Sequence, residues 1–288
     1  MKNKSIFTAW LLAAALCFVL GGCATNPYTG KSTLALVGRK SLHEESFASY
    51  AEVMKAAQSY EETGTRNAML VQTVSNKLRD AAEKWAAANG NSEYLEDYQW
   101  EYHLIRSDEV NAWCMPGGKI VVYTGILPVT KNADGLAAVL GHELAHALLN
   151  HGQQRQSAGM LQNIGVAAAQ IGVTVAVAQD TKQNTNTAVQ SGKAAGDVAA
   201  LASTLFGTLP YSRSHETEAD KIGQTLMIIA GYNGEEAAAL WDRMAQLGGS
   251  GQSDFFSTHP ASEKRAKALR QELPNSRKIA ERVIASAR

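Results

Sequence analysis

Residues 142–146 read His-Glu-Leu-Ala-His, and no other stretch constrains this chain as much. On a helix, two histidines four residues apart project from one face, a single turn from each other. That spacing suits two ligands of one Zn²⁺, with Glu143 placed to take a proton from an attacking water. One way of completing such a site uses a glycine three residues, and a histidine six residues, after the second ligand. Leu149 and Gly152 stand there, so that pattern fails. The completing group lies further on, in Ser212-Arg213-Ser214-His215-Glu216-Thr217-Glu218-Ala219-Asp220, a stretch that reads as helix to about Ala230. Glu216 and Asp220 are four apart, so a third ligand and a supporting carboxylate can share a face. Asp220 would accept the free ring N–H of a ligating histidine and fix its tautomer. His142, His146 and Glu216 then make the three-ligand centre of a catalytic zinc, one Zn²⁺ per chain, with a fourth position left open.

The N-terminus carries a different kind of signal. Lys2 and Lys4 precede an apolar run from Ile6 to Leu20, which is short for a membrane span but suits a signal-peptide core. Leu20-Gly21-Gly22-Cys23 resembles the lipobox of bacterial lipoproteins, which implies a signal peptide over 1–22, cleavage after Gly22 and lipidation of Cys23. Ala24 after that cysteine favours the outer membrane by resemblance to the enterobacterial sorting rule. Once Cys17 leaves with the signal and Cys23 is acylated, Cys114 is the remaining thiol, and no intramolecular disulfide is expected. We read Cys114 as a small buried strand residue rather than a nucleophile. The 27 basic and 27 acidic groups cancel, which gives no reason to expect a nucleic-acid partner.

Along the chain, Asn26-Pro27-Tyr28-Thr29-Gly30-Lys31 reads as part of a turn-rich tether over 23–40, and the main domain occupies 41–288. Helices are expected from Ser41 to about Tyr60 and from about Arg66 to Ala88, where Met69, Leu70, Val74, Leu78, Ala81 and Trp85 form a buried stripe. Gln99 to Ile105 alternates as a strand does. Asn111 to Met115, Pro116-Gly117-Gly118 and Lys119 to Tyr123 read as strand, turn, strand. The helix bearing the zinc motif should open at Asn132 or Asp134 and end by Gly152. Residues 158–178 are apolar but interrupted by Gln162, Asn163 and Gln170. We read about 157–209 as a helical insertion over the active site, able to gate it, rather than a membrane-spanning helix. Further helices are expected over Gly234–Leu247, Ala261–Gln271 and Asn275 to the end. His43, His103, His151 and His215 read as structural, with His151 pointing away from the metal. His259, in Ser257-Thr258-His259-Pro260, is fixed before a proline and suits a transition-state donor.

Taken in order, NPYTGK, NAWCMPGGKIVVYTG, HELAH, ETEAD after Ser212-Arg213, and STHP resemble peptidase family M48, in particular its bacterial lipoprotein branch of the BepA and LoiP type. The resemblance implies an α+β, mostly helical, zincin-like (gluzincin) metallopeptidase domain with a small antiparallel sheet. It implies zinc on His142, His146 and Glu216, and Glu143 as catalytic base. It places His259 at the active site, either assisting the oxyanion or capping the metal in a latent state. It makes Asn111, Ala112, Trp113 and Cys114 part of an edge strand to which a peptide substrate adds. The short segment after the STHP helix leaves no expectation of a helical-repeat partner domain. The activity implied is that of a lipid-anchored periplasmic zinc endopeptidase cleaving unfolded or misfolded envelope proteins. A chaperone-like assembly factor for outer-membrane proteins, with latent peptidase activity, is the alternative.

Overall fold

A computed structural model describes residues 23–160, 211–247, 255, 258–259 and 263–287. Its centre is α3 (Ala133–Leu148), in which every residue from Gly135 to Leu148 is buried. A helix buried on all sides needs neighbours on all sides, and this one has them. Against it pack α2 (Arg66–Ala88), α4 (Arg213–Ile229) and α5 (Glu235–Leu247); α6 (Glu263–Ser286) packs on α4 and α5, and α1 (Arg39–Ala57) joins a separate cluster through Tyr50, Val53 and Ala57. Leu136, Leu140, Leu144 and Leu148 form one row down α3 and join Val74, Leu78, Leu226 and Trp241 in the main core. Asn132 caps the helix, its Oδ1 accepting from Gly135 N at 2.9 Å.

The expected limits of α2 and of the strands hold closely. β3 (Glu101–Ile105), β4 (Ala112–Met115) and β5 (Lys119–Tyr123) form one sheet in the order β3-β5-β4. The sheet is mixed rather than wholly antiparallel. β4 and β5 pair antiparallel as a hairpin, while β3 runs parallel to β5. All five residues of β5 are buried, as its central place requires. The hairpin turn needs its glycines: Gly117 and Gly118 have φ of 85° and 90°, and a Cβ on Gly118 would lie 2.6 Å from the Trp100 ring.

Three expectations need correction. Residues 23–34, expected within a tether, form the strands β1 (Cys23–Thr25) and β2 (Ser32–Leu34), paired antiparallel. That hairpin is fastened to the body. Asn26 Nδ2 donates to Leu148 O at 2.7 Å, Tyr28 Oη donates to Ala82 O at 3.1 Å, and the Tyr28 ring packs edge-on against Trp85. Second, the two expected C-terminal helices are one, α6, which continues through Pro274. Its buried residues Ala266, Leu269, Ser276, Ala280 and Val283 lie on both sides of the proline. Gln224 of α4 holds the two halves together, donating to Leu269 O and accepting from Ser276 Oγ. Tertiary packing here outweighs the helix-breaking tendency of proline.

Third, His151 does not point away from the zinc motif: the motif's helix stops at Leu148, within its expected limit, and a new helical run covers 151–160. Asn150 between them adopts φ 55°. In an unbroken helix the fifth residue after His146 would sit roughly 140° around the axis. The left-handed residue re-aims the chain and brings His151 back beside His146. His43 lies against Asp97, and His103 Nδ1 is 2.7 Å from Glu61 Oε1, both away from the zinc motif. Among the described residues no helix is long and apolar enough to cross a membrane. The expected insertion over 157–209 lies, beyond residue 160, outside the described residues.

Candidate metal centre

α3 and α4 cross with their backbones in contact. A Cβ on Gly223 would meet Gly141 C and His142 N at 2.8 Å, and one on Gly141 would meet Gly223 O at 2.9 Å. The absence of both side chains lets the helices approach until His142 and His146 of one face Glu216 and Asp220 of the other. His142 Nε2 and His146 Nε2 are 3.1 Å apart. His146 Nε2 is 3.3 Å from Glu216 Oε1. His259 enters from the loop before α6, with Nδ1 3.0 Å from Glu216 Oε1 and 3.3 Å from His142 Nε2. All four donors lie within 4.8 Å of one another, and all four side chains are buried.

This set fits zinc. Ligands at the usual Zn–N and Zn–O lengths of about 2.0–2.1 Å sit about 3.3 Å apart at the corners of a tetrahedron. Two buried carboxylates, those of Glu216 and Asp220, share one guanidinium, that of Arg265, which leaves negative charge for a cation to neutralise. Three imidazoles and one carboxylate are also the donor types zinc prefers.

The surrounding contacts are specific. Asp220 Oδ1 lies 3.1 Å from His142 Nδ1, as the four-residue spacing from Glu216 implied. Arg265 grips Asp220 with two bonds, Nε to Oδ2 at 2.8 Å and NH2 to Oδ1 at 2.6 Å, and its NH1 reaches Glu216 Oε2 at 2.7 Å. Its guanidinium lies 3.5 Å from the centroid of the Trp241 ring, which in turn meets His142 edge-on. The Tyr211 ring stacks on His146 at 4.0 Å. Burial would raise the Asp220 carboxyl, but Arg265 and His142 hold it below its usual value. Burial pushes Glu143 up, against the opposing pull of His259 and His142. Among the described residues Glu143 Oε1 is buried without a hydrogen-bond partner, and His259 Nε2 stands 3.5 Å from it.

Arg265, Tyr211, Trp241 and His151 carry no motif that marked them in sequence as neighbours of the metal ligands. Arg265 read only as part of a charged helix. His151, expected to point away, lies 2.9 Å from His146 through their Nδ1 atoms. β4 is an edge of the three-stranded sheet, and Cys114 on it is close enough for Glu143, after burial, to help push its thiol up. Ala112 is buried, Trp113 and Cys114 are half-buried, and Asn111 O accepts from Tyr123 N at 3.1 Å.

Residues 72–273 match the model of peptidase family M48. The chain belongs to peptidase family M48. Among its relatives, metalloprotease YcaL of Escherichia coli is 28% identical over 96% of this chain and 100% of its own length. Metalloprotease LoiP of the same organism is 26% identical over 65% of this chain and 68% of its own. Mitochondrial metalloendopeptidase OMA1 of Arabidopsis thaliana is 34% identical over 67% of this chain, which spans only 36% of that protein. The chain thus carries a metallopeptidase domain of the M48, zincin-like type, and the cluster of His142, His146, Glu216 and His259 could hold one metal ion, the zinc that M48 metalloproteases use.

Proposed function

We propose that this M48 peptidase is a lipid-anchored endopeptidase of the periplasmic face of the outer membrane, cleaving unfolded or misassembled envelope proteins. In this reading His142, His146 and Glu216 hold the metal, Asp220 orients His142, and Cys23 carries the lipid. The observation that carries the catalytic part is the place of Glu143: it is buried beside the metal donors, on the same helix as two of them, with Oε1 unbonded among the described residues. Zinc bound there would polarise a scissile carbonyl and make an attacking water more acidic. Glu143 takes the proton of that water and returns it to the leaving amine, a double task suited to a carboxyl whose affinity for protons burial has raised. A substrate segment added to β4 along Asn111, Ala112, Trp113 and Cys114 is bound through its backbone, which folded proteins do not offer. The leader-like N-terminus, with Leu-Gly-Gly-Cys at 20–23, supports the anchor and the envelope location.

His259 favours a second element, latency, shared with the assembly-factor reading. Its Nδ1 stands among the metal donors, where a catalytic zinc keeps an open position, and its Nε2 faces the base. Replacing it should release both. His259→Ala is expected to raise cleavage of reduced, unfolded casein by roughly tenfold or more, as the competent fraction grows. Folded proteins should remain uncut. A large fall in rate would make His259 an oxyanion donor instead of a cap. Cleavage of folded and unfolded substrates at equal rates would contradict the substrate class.

A further inference from the structure

Each metal-facing imidazole has a second nitrogen, and the two ligands on α3 support theirs differently. His142 turns Nδ1 directly to a carboxylate, Asp220, at 3.1 Å. His146 turns Nδ1 to another imidazole, that of His151, at 2.9 Å. Since His146 presents Nε2 to the metal position, its Nδ1 bears the proton and donates, and His151 Nδ1 accepts. That bond places the His151 proton on Nε2, which lies 3.3 Å from Glu218 Oε2. The other Glu218 oxygen meets Lys31 Nζ, in the hairpin β1-β2.

From this geometry we propose that His151, held by Glu218, is the positioning residue for the zinc ligand His146, and that the line His146–His151–Glu218–Lys31 fastens the metal centre to the N-terminal hairpin. The proposal rests on zinc being the ion at this centre. His151 is fully buried, so in the folded chain the His146 ring nitrogen is partnered by it and not by bulk solvent. An unpaired N–H left in such a place destabilises the ligand orientation that the metal requires. The His151 ring is itself stacked on His215 at 4.3 Å, and His215 Nε2 lies 3.3 Å from Gln154 Oε1, so its plane is fixed from two elements. Burial leaves His215 low, at about 4, so its ring adds no charge beside His151 near neutrality.

The same hairpin grips the end of α3 independently. Asn26 Nδ2 donates to Leu148 O, two residues beyond His146, and Asn26 Oδ1 accepts from Tyr28 N at 3.0 Å. Lys31 is the weak end of the line, because its side chain is 65% exposed and its charge is screened. His151 and Glu218 carry the effect, and Lys31 adds little.

The test is zinc affinity, measured by chelator competition on the purified chain, with heat stability of the metal-free and zinc-loaded forms beside it. His151→Ala should weaken zinc binding by roughly 10–100-fold, the usual cost of losing a ligand's supporting partner. His151→Asn, whose Oδ1 reaches the place of the lost Nδ1, should recover most of that loss. Glu218→Gln should cost several-fold, by weakening the bond that fixes the His151 tautomer. A merely structural histidine would lower the stability of both forms equally and leave the affinity unchanged, and that result overturns the proposal. Should His151→Ala fail to fold, Glu218→Gln decides alone: unchanged affinity overturns the line and several-fold loss supports it. A wild-type chain that takes up no zinc would overturn the metal reading first and this inference with it.

Discussion

Glu143→Gln lowers peptide cleavage by roughly 10²–10⁴-fold while zinc stays bound, if Glu143 is the base and not a ligand. The substitution preserves volume and removes only the proton-accepting oxygen. The fold should tolerate it, because Glu143 Oε1 has no hydrogen-bond partner to lose among the described residues and burial already disfavours its charge. The four metal donors are untouched, so zinc content should equal that of the wild type. Steady-state kinetics on an unfolded substrate, with metal analysis of the same samples, separates the outcomes. Loss of both zinc and activity would make Glu143 a ligand. Undiminished kcat with zinc bound would remove it from the mechanism.

Gly223→Val is expected to do comparable damage by a purely steric route. Even a Cβ at 223 would sit 2.8 Å from the backbone of Gly141 and His142, and backbone, unlike the end of a flexible side chain, does not give way cheaply. The two helices must separate, and Glu216 and Asp220 move away from His142 and His146 together. Overpacking of this kind costs about 3 kcal/mol or more, which for a domain of this size lowers Tm by about 6–12 °C. Zinc affinity should fall with it, since the ligands come from both helices. Gly159→Ala is the matching control: among the described residues nothing lies within 4 Å of its Cβ, and the change in Tm should be small. Equal behaviour of the two variants would mean that the α3–α4 contact does not set the ligand spacing.

What the sequence disclosed, and what it withheld, follows from the range of the interactions. α2 and the helix bearing His142 and His146 were legible because a one-turn repeat is a local property. Asp220 opposite His142 was legible for the same reason, at four residues from Glu216. His151 was not, because its place depends on the left-handed Asn150 breaking the helix one residue before it. α6 was misread because Pro274 is a local signal against helix, while Gln224 and the packing on α4 that carry the helix past it come from far along the chain. The parallel pairing of β3 with β5 is likewise invisible to alternation, which reports the face of a strand and not its direction. Arg265 was visible only as one charge among several, although it binds both Glu216 and Asp220. NPYTGK was recognised as a motif without its role. The structure gives it one: Asn26 ends α3, Tyr28 enters the core, and Lys31 meets Glu218.

The most direct test strips the purified chain of metal with a chelator, then titrates zinc back, for the wild type and for Glu216→Ala. The wild type should take up one zinc per chain and regain cleavage of unfolded casein in step with it, while Glu216→Ala binds far more weakly and stays inactive. Cleavage that persists in the stripped protein, or a Glu216→Ala variant that binds zinc as tightly as the wild type, would contradict a metallopeptidase centred on His142, His146 and Glu216.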